Sequence, residues 1–196
     1  MAAAAAALAI TPMACTRTGP GDATPSGPVS FYREHVTVRP SEGRTRVAGH
    51  YYFRNTTSES VEVAIGYPFP VDAHHAPPSI VEVWRISVDE TDPVGFHRGD
   101  SHARWRMNLA PMQEQHFFVR YVQRTSLRHA VYIVTTTQEW GEPIELAEFE
   151  FRIPAALGDV RLSFEPDSMA VQADTLVYYA SWKDFMPDSD LEVWWE

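Results

Sequence analysis

The stretch His116–Pro154, HFFVRYVQRTSLRHAVYIVTTTQEWGEPIELAEFEFRIP, decides how the chain is read. Its pattern is that of three consecutive strands. In the last, Ala147, Phe149, Phe151 and Ile153 alternate with Glu148, Glu150 and Arg152, which makes one apolar and one charged face. Phe117–Gln123 and Ala130–Thr137 are richer in Val, Ile, Tyr and Phe, and are expected in the middle of a sheet. Gly141 and Pro143 break the run after Trp140, so Gln138–Pro143 is expected to be a loop.

The same period of two continues outward in both directions. Phe31–Val38 and Arg44–Arg54 flank the turn at Ser41-Glu42-Gly43, and Val61, Val63, Ile65, Tyr67 and Phe69 alternate up to Pro68 and Pro70. Ile80–Val88 follows, with Trp84, Ile86 and Val88 on one expected face. Ala103, Trp105, Met107 and Leu109 then alternate with Arg104, Arg106 and Asn108. Val160–Phe164, Leu176–Trp182 and Leu191–Trp195 complete the series. No interval keeps helical spacing for three turns. The expectation is an all-β fold, a two-sheet antiparallel β-sandwich of about ten or eleven short strands. An outer-membrane barrel is excluded, because the polar faces carry Glu and Arg.

The chain has 196 residues with 26 acids against 16 Lys and Arg, a formal charge of −10 that argues against a nucleic-acid partner. Residues 29–196 are expected to form one domain. Before it, Met1–Ile10 is an alanine-rich apolar run, too short to span a bilayer but fitting a signal peptide over residues 1–14. Thr16–Pro28, rich in Gly, Pro, Ser and Thr, reads with Cys15 as a flexible tether over residues 15–28. Cys15 is the single cysteine, so no intrachain disulfide can form.

The Ala14-Cys15 junction resembles the lipobox of bacterial lipoproteins. That resemblance implies lipidation of Cys15, a membrane partner through the lipid, and a place in the cell envelope, periplasmic or extracellular. The sequence departs from the pattern at Pro12, where leucine is usual, at Met13, where a small residue is usual, and in lacking a basic start. Within the domain, HYYFRNTTSESVEVAIGYPFPVD, Asn108-Leu109-Ala110-Pro111 and FFVRYVQ together resemble extracytoplasmic bacterial β-sandwich domains of unknown function. More distantly they resemble the vault/inter-alpha-trypsin (VIT) domain. The resemblance spans roughly Val36–Pro154 and implies a sandwich fold, with no catalytic residue to transfer.

Candidate sites are few. Phosphate-binding, dinucleotide-binding, nucleophile-elbow and zinc-protease motifs are absent from the sequence. His74, His75, His97 and His102 fall in two loops and are the candidate metal ligands, the basis of an alternative metal-dependent hydrolase. Adjacent histidines on extended chain diverge, and no glutamate sits beside them as a general base, so no metal or other cofactor is expected. Asp184, Asp188 and Asp190 could offer oxygen ligands, but the glycine and closing glutamate of a calcium loop are missing. Arg98-Gly99-Asp100 reads as a turn, and Asn55-Thr56-Thr57 is a formal glycosylation sequon. Trp140, between Glu139 and Glu142, is the candidate for binding a protein or carbohydrate ligand, or else it caps the core. Trp194 and Trp195 are adjacent on one strand, so one is expected to face outward as a docking surface. The function expected is a lipid-anchored, non-catalytic binding or scaffolding module.

Overall fold

The structure, a computed structural model, describes residues 27–196. The signal-peptide and lipidation expectations, Cys15 included, lie outside the described residues. Strands are numbered in chain order. One large sheet has the order β12 (Ser168–Gln172), β13 (Thr175–Phe185), β10 (Ile144–Pro154), β1 (Val29–Ser41), β2 (Arg44–Asn55), β8 (Glu114–Arg124), β4 (Ile80–Ile86), β5 (Thr91–Pro93). Opposite it stand two three-stranded sheets: β11 (Val160–Leu162), β14 (Leu191–Trp195), β9 (His129–Tyr132), and β3 (Val61–Pro68), β7 (His102–Leu109), β6 (His97–Arg98).

One core joins all three sheets. The large sheet contributes Val36, Val38, Val47, Phe117, Val119, Phe149, Phe151 and Ile153, and the small ones contribute Ile65, Trp105, Met107, Leu109, Tyr132, Val193 and Trp195. The expected alternation is seen in β7, buried at Ala103, Trp105, Met107 and Leu109 and exposed at Arg104, Arg106 and Asn108. It is seen again in β10. This is a sandwich, with a second layer that is split in two.

Several expectations need correction. Among the described residues there are fourteen strands, five of them eleven residues or longer. Three short ones, β5, β6 and β12, carry no buried side chain: β5 and β6 are too short and polar to show an apolar rhythm, and in β12 Met169 and Val171 are exposed. The large sheet is mixed, because β1 pairs in parallel with β10 while pairing antiparallel with β2. The expected strand Ala130–Thr137 is cut short: β9 ends at Tyr132 and a 3₁₀ helix runs Thr135–Trp140. Asp190 overrides the strand preference of the three threonines there. Its Oδ1 accepts from the backbone N–H of Val134 (3.0 Å) and of Thr135 (3.1 Å) and from the Thr135 hydroxyl (2.9 Å), which starts the helix. Gly141, at φ 77°, ends it. Moreover β9 is an edge strand of a small sheet and not a central one, whereas β8 does lie inside the large sheet. In β4 the inward residue is Val83; Trp84 and Ile86 are on the other face, and Val88 lies past the strand, fully exposed.

Phe151 is 1% exposed in the shared core. Phe151→Ala is expected to lower the unfolding free energy by about 3–5 kcal/mol in a denaturant titration, the range for emptying a packed site. A loss below about 1 kcal/mol would place this face outside the core.

Candidate functional site

Along β1, Val38, Val36 and Glu34 share one parity and all point inward. Glu34 is therefore driven into the core by its neighbours' burial, at 3% exposure. A register shift between Phe31 and Arg33 then changes the parity, so that Phe31 rather than Tyr32 packs on Phe53 (4.9 Å) and Trp140 (5.9 Å). Tyr51 stands directly across from Glu34 on β2, and Ala147 on β10 leaves room on the other side. Gly49 makes the next adjustment. A Cβ there would lie 2.2 Å from the Tyr51 hydroxyl, so only glycine lets that ring fold back along β2.

These residues floor a pocket of about 60 Å³ whose opposite wall is the split second layer. The edge strands β3 and β9 both line it, through Ile65, Tyr67 and Tyr132, and the 3₁₀ helix adds Thr136, Thr137 and Trp140. Its rim is partly exposed at Phe31, Ile133, Thr136 and Trp140. A chain of hydroxyls runs along the floor: Tyr67 and Tyr51 are 2.8 Å apart, Tyr51 and Tyr132 2.9 Å, and Tyr132 donates to Glu34 Oε2 at 3.4 Å.

Two buried polar atoms on this lining have no partner, Glu34 Oε1 and Trp105 Nε1. An orphaned buried donor or acceptor costs about 1–3 kcal/mol, so two on one pocket is a feature the fold could have avoided with Leu and Phe. Burial without a counter-charge raises the Glu34 carboxyl from the usual 4.5 to about 8, opposed only by the Tyr132 hydrogen bond. It is neutral at pH 7. The same burial lifts the phenols of Tyr51, Tyr67 and Tyr132.

Of the residues singled out in the sequence, Trp140 alone reaches this pocket. It caps the core on Phe31 and Phe53 and forms the rim at once. Glu139 and Glu142 stay exposed. The four loop histidines are not gathered: His74 is exposed and meets Ser126 Oγ (3.3 Å), while His75 is buried with Nδ1 on Asp72 (3.0 Å). His97 and His102 lie on β6 and β7. Among the described residues, no group of three or more His, Cys, Asp or Glu is placed to hold a metal ion. Asp190 is engaged by the 3₁₀ helix, and Asp184 and Asp188 are exposed. Asn55 is 1% exposed, and its side chain ties Glu59 and Ala110 carbonyls and the Thr57 hydroxyl into a turn. The Arg98-Gly99-Asp100 turn is closed by Gly99 N–H on the His102 carbonyl (2.8 Å). On β14, the central strand of its sheet, Trp195 is buried and Trp194 is on the other face, partly exposed, where it stacks on His129 (5.0 Å) beneath Arg161.

Glu34 went unremarked in the sequence, although a charged residue in phase with Val36 and Val38 was the signal for it. Three other histidines do meet, on the outer face of the large sheet. His50 Nδ1 lies 2.8 Å from His116 Nε2, His35 stacks on His50 (6.4 Å), and Tyr52 stacks on His116 (4.3 Å). Burial, and then the neighbouring His50, push His116 down to about 4. A pair this close shares a single proton.

No protein-family profile matches the chain, and no curated protein does. Solved structures do. A protein of Legionella pneumophila subsp. pneumophila str. Philadelphia 1, provisionally described as nutrient-binding, superposes with a TM-score of 0.66 at 14% identity, over 86% of this chain and 68% of that one. A variant of an M1 zinc metallopeptidase from Deinococcus radiodurans gives 0.52 at 10% identity, over 86% of this chain and 42% of that one. The same metallopeptidase without the substitution gives 0.50 at 10% identity, again over 86% and 42%. This chain thus spans less than half of the metallopeptidase's length. At these identities the likeness establishes the all-β layered fold and no chemistry.

Glu34 gives the pocket a pH signature. Its folded-state value, about 8, lies above the ordinary 4.5, so the folded protein holds this proton more tightly than the unfolded chain. The stability it contributes is complete below about pH 4.5 and is lost as pH rises toward 8. Relative to Glu34→Gln, the wild type is expected to lose stability between these limits with a slope approaching roughly 1.4 kcal/mol per pH unit. Parallel curves for the two proteins across that window would refute the assignment.

Proposed function

We propose that this chain is a non-catalytic binding module of the bacterial cell envelope, anchored by a lipid on Cys15, which takes a small ligand between its two layers. The observation that carries the ligand reading is the pair of unpartnered buried polar atoms, Glu34 Oε1 and Trp105 Nε1, on one pocket with a partly exposed rim. A ligand that supplies their missing partners would gain what the empty protein lacks. The Legionella protein with which it shares its fold is provisionally described as nutrient-binding, which is consistent with a binding role. So is the pocket's chemistry. Its lining includes no histidine or cysteine, and its phenols hold their protons more tightly than usual, so no nucleophile stands beside a base. The VIT-like layout and the lipobox-like junction of the sequence support the extracytoplasmic placement.

Wild-type protein purified natively and then denatured is expected to release a small molecule, detected by mass spectrometry, that a Glu34→Leu/Trp105→Phe variant does not carry. Identical small-molecule content in both preparations would count against the pocket. Cys15→Ser is expected to move the protein from the membrane to the soluble fraction; unchanged fractionation would remove the anchor from the account.

A further inference from the structure

We infer that the ligand is a small organic cation, with its ammonium group against the Glu34 carboxylate and inside a box of aromatic rings. This rests on the pocket being a binding site, and it adds the ligand's charge and size.

Charge is decided by the lining. Glu34 is the only acidic side chain on it, and it has no Arg, Lys or His. Glu34 is 3% exposed, with Oε1 unpartnered. Among the described residues no cationic side chain on the lining neutralises this group once it ionises, so the compensating positive charge would come from the ligand. A cation supplies the counter-charge that an ionised Glu34 lacks on this lining, which an anionic or neutral ligand does not.

The walls agree. Six aromatic rings line the pocket, Phe31, Phe53 and Trp140 with Tyr51, Tyr67 and Tyr132. Ring faces attract cations by about 0.5–2 kcal/mol each, more when desolvated, and groups of aromatic rings are the usual receptors of alkylammonium groups. The rings that do carry a protein cation are elsewhere, on the outer face: Arg54 lies over Tyr32 and Arg33 over Tyr52. None of the arginines recorded over a ring belongs to the pocket's box.

Size limits the ligand. The space of about 60 Å³ is far below the roughly 300–1,000 Å³ of sites for drug-sized molecules, which favours a compact head group over a sugar ring. Trp105 Nε1–H remains to be satisfied, which favours an ammonium compound with an oxygen acceptor beside the charge, such as an amino alcohol.

Binding a cation must draw the proton off Glu34, because an opposite charge within about 4–6 Å favours the ionised form. The proton passes from the carboxyl to buffer, and the site keeps a neutral ion pair. The phenols facing Glu34, Tyr51 on β2, Tyr67 on β3 and Tyr132 on β9, hold their protons above the usual range and take no part near neutral pH.

Calorimetric titration of the full chain with methylammonium, trimethylammonium, acetate and tert-butanol at pH 6.5, in buffers of different ionisation enthalpy, tests this. One of the two ammonium probes is expected to bind wild type with release of about one proton. Glu34→Gln is expected to weaken it tenfold or more and abolish proton release, and Trp140→Ala, at the partly exposed rim, to weaken it while proton release persists. Binding of acetate or tert-butanol as tight as that of the cations, and indifferent to Glu34→Gln, would overturn the cation while leaving the pocket a binding site. Binding of no probe to wild type, together with the same small-molecule content in wild type and Glu34→Leu/Trp105→Phe, would overturn both.

Discussion

The burial of one carboxyl without a counter-charge is the constraint on which the rest of this site depends. Glu34 sits in phase with Val36 and Val38 on β1, between Tyr51 of β2 and Ala147 of β10 in an eight-stranded sheet. It cannot turn outward without a register slip that would also expose both valines. The protein answers by keeping it neutral and by ending a chain of three phenols on one of its oxygens. The other oxygen is buried without a partner. A fold selected for stability alone would place an apolar side chain there, since buried ionisable groups are rarely worth their desolvation.

The split of the second layer leaves a small pocket beside that buried carboxyl. An unbroken sheet over β1 and β2 would close the space above Glu34. Instead two small sheets bring their edge strands, β3 and β9, to the pocket, and the chain leaves β9 as a 3₁₀ helix that carries Trp140 to the rim. Asp190 holds the start of that helix, so a carboxylate that could have passed for a cation ligand is a positioning residue for the rim.

Much of the architecture was legible because burial and alternation are the same fact seen in space and in sequence. β7 and β10 could be read residue by residue for this reason. What escaped had no such rhythm. β12 is five residues long and exposed throughout, Met169 and Val171 included, and the parallel pairing of β1 with β10 joins residues more than a hundred positions apart. The threonines at 135–137 favour strand, and a long-range contact from Asp190 decided otherwise. The site escaped for a different reason. Attention to residue types drew notice to the loop histidines, whereas the informative feature was an ordinary glutamate in the wrong phase. The tyrosines and Trp105 around it looked like core, and they are core. Only the missing partners of Glu34 and Trp105 set the pocket apart, and those cannot be seen before the fold is built.

The protonation of Glu34 decides whether the site is an uncompensated buried carboxyl. Carbon-13 NMR titration of its side-chain carboxyl in ligand-free protein, assigned by comparison with Glu34→Gln, measures it directly. A midpoint near 8 is predicted. A midpoint near the ordinary 4.5 would show that the carboxyl is hydrated or already paired, and would contradict the central claim.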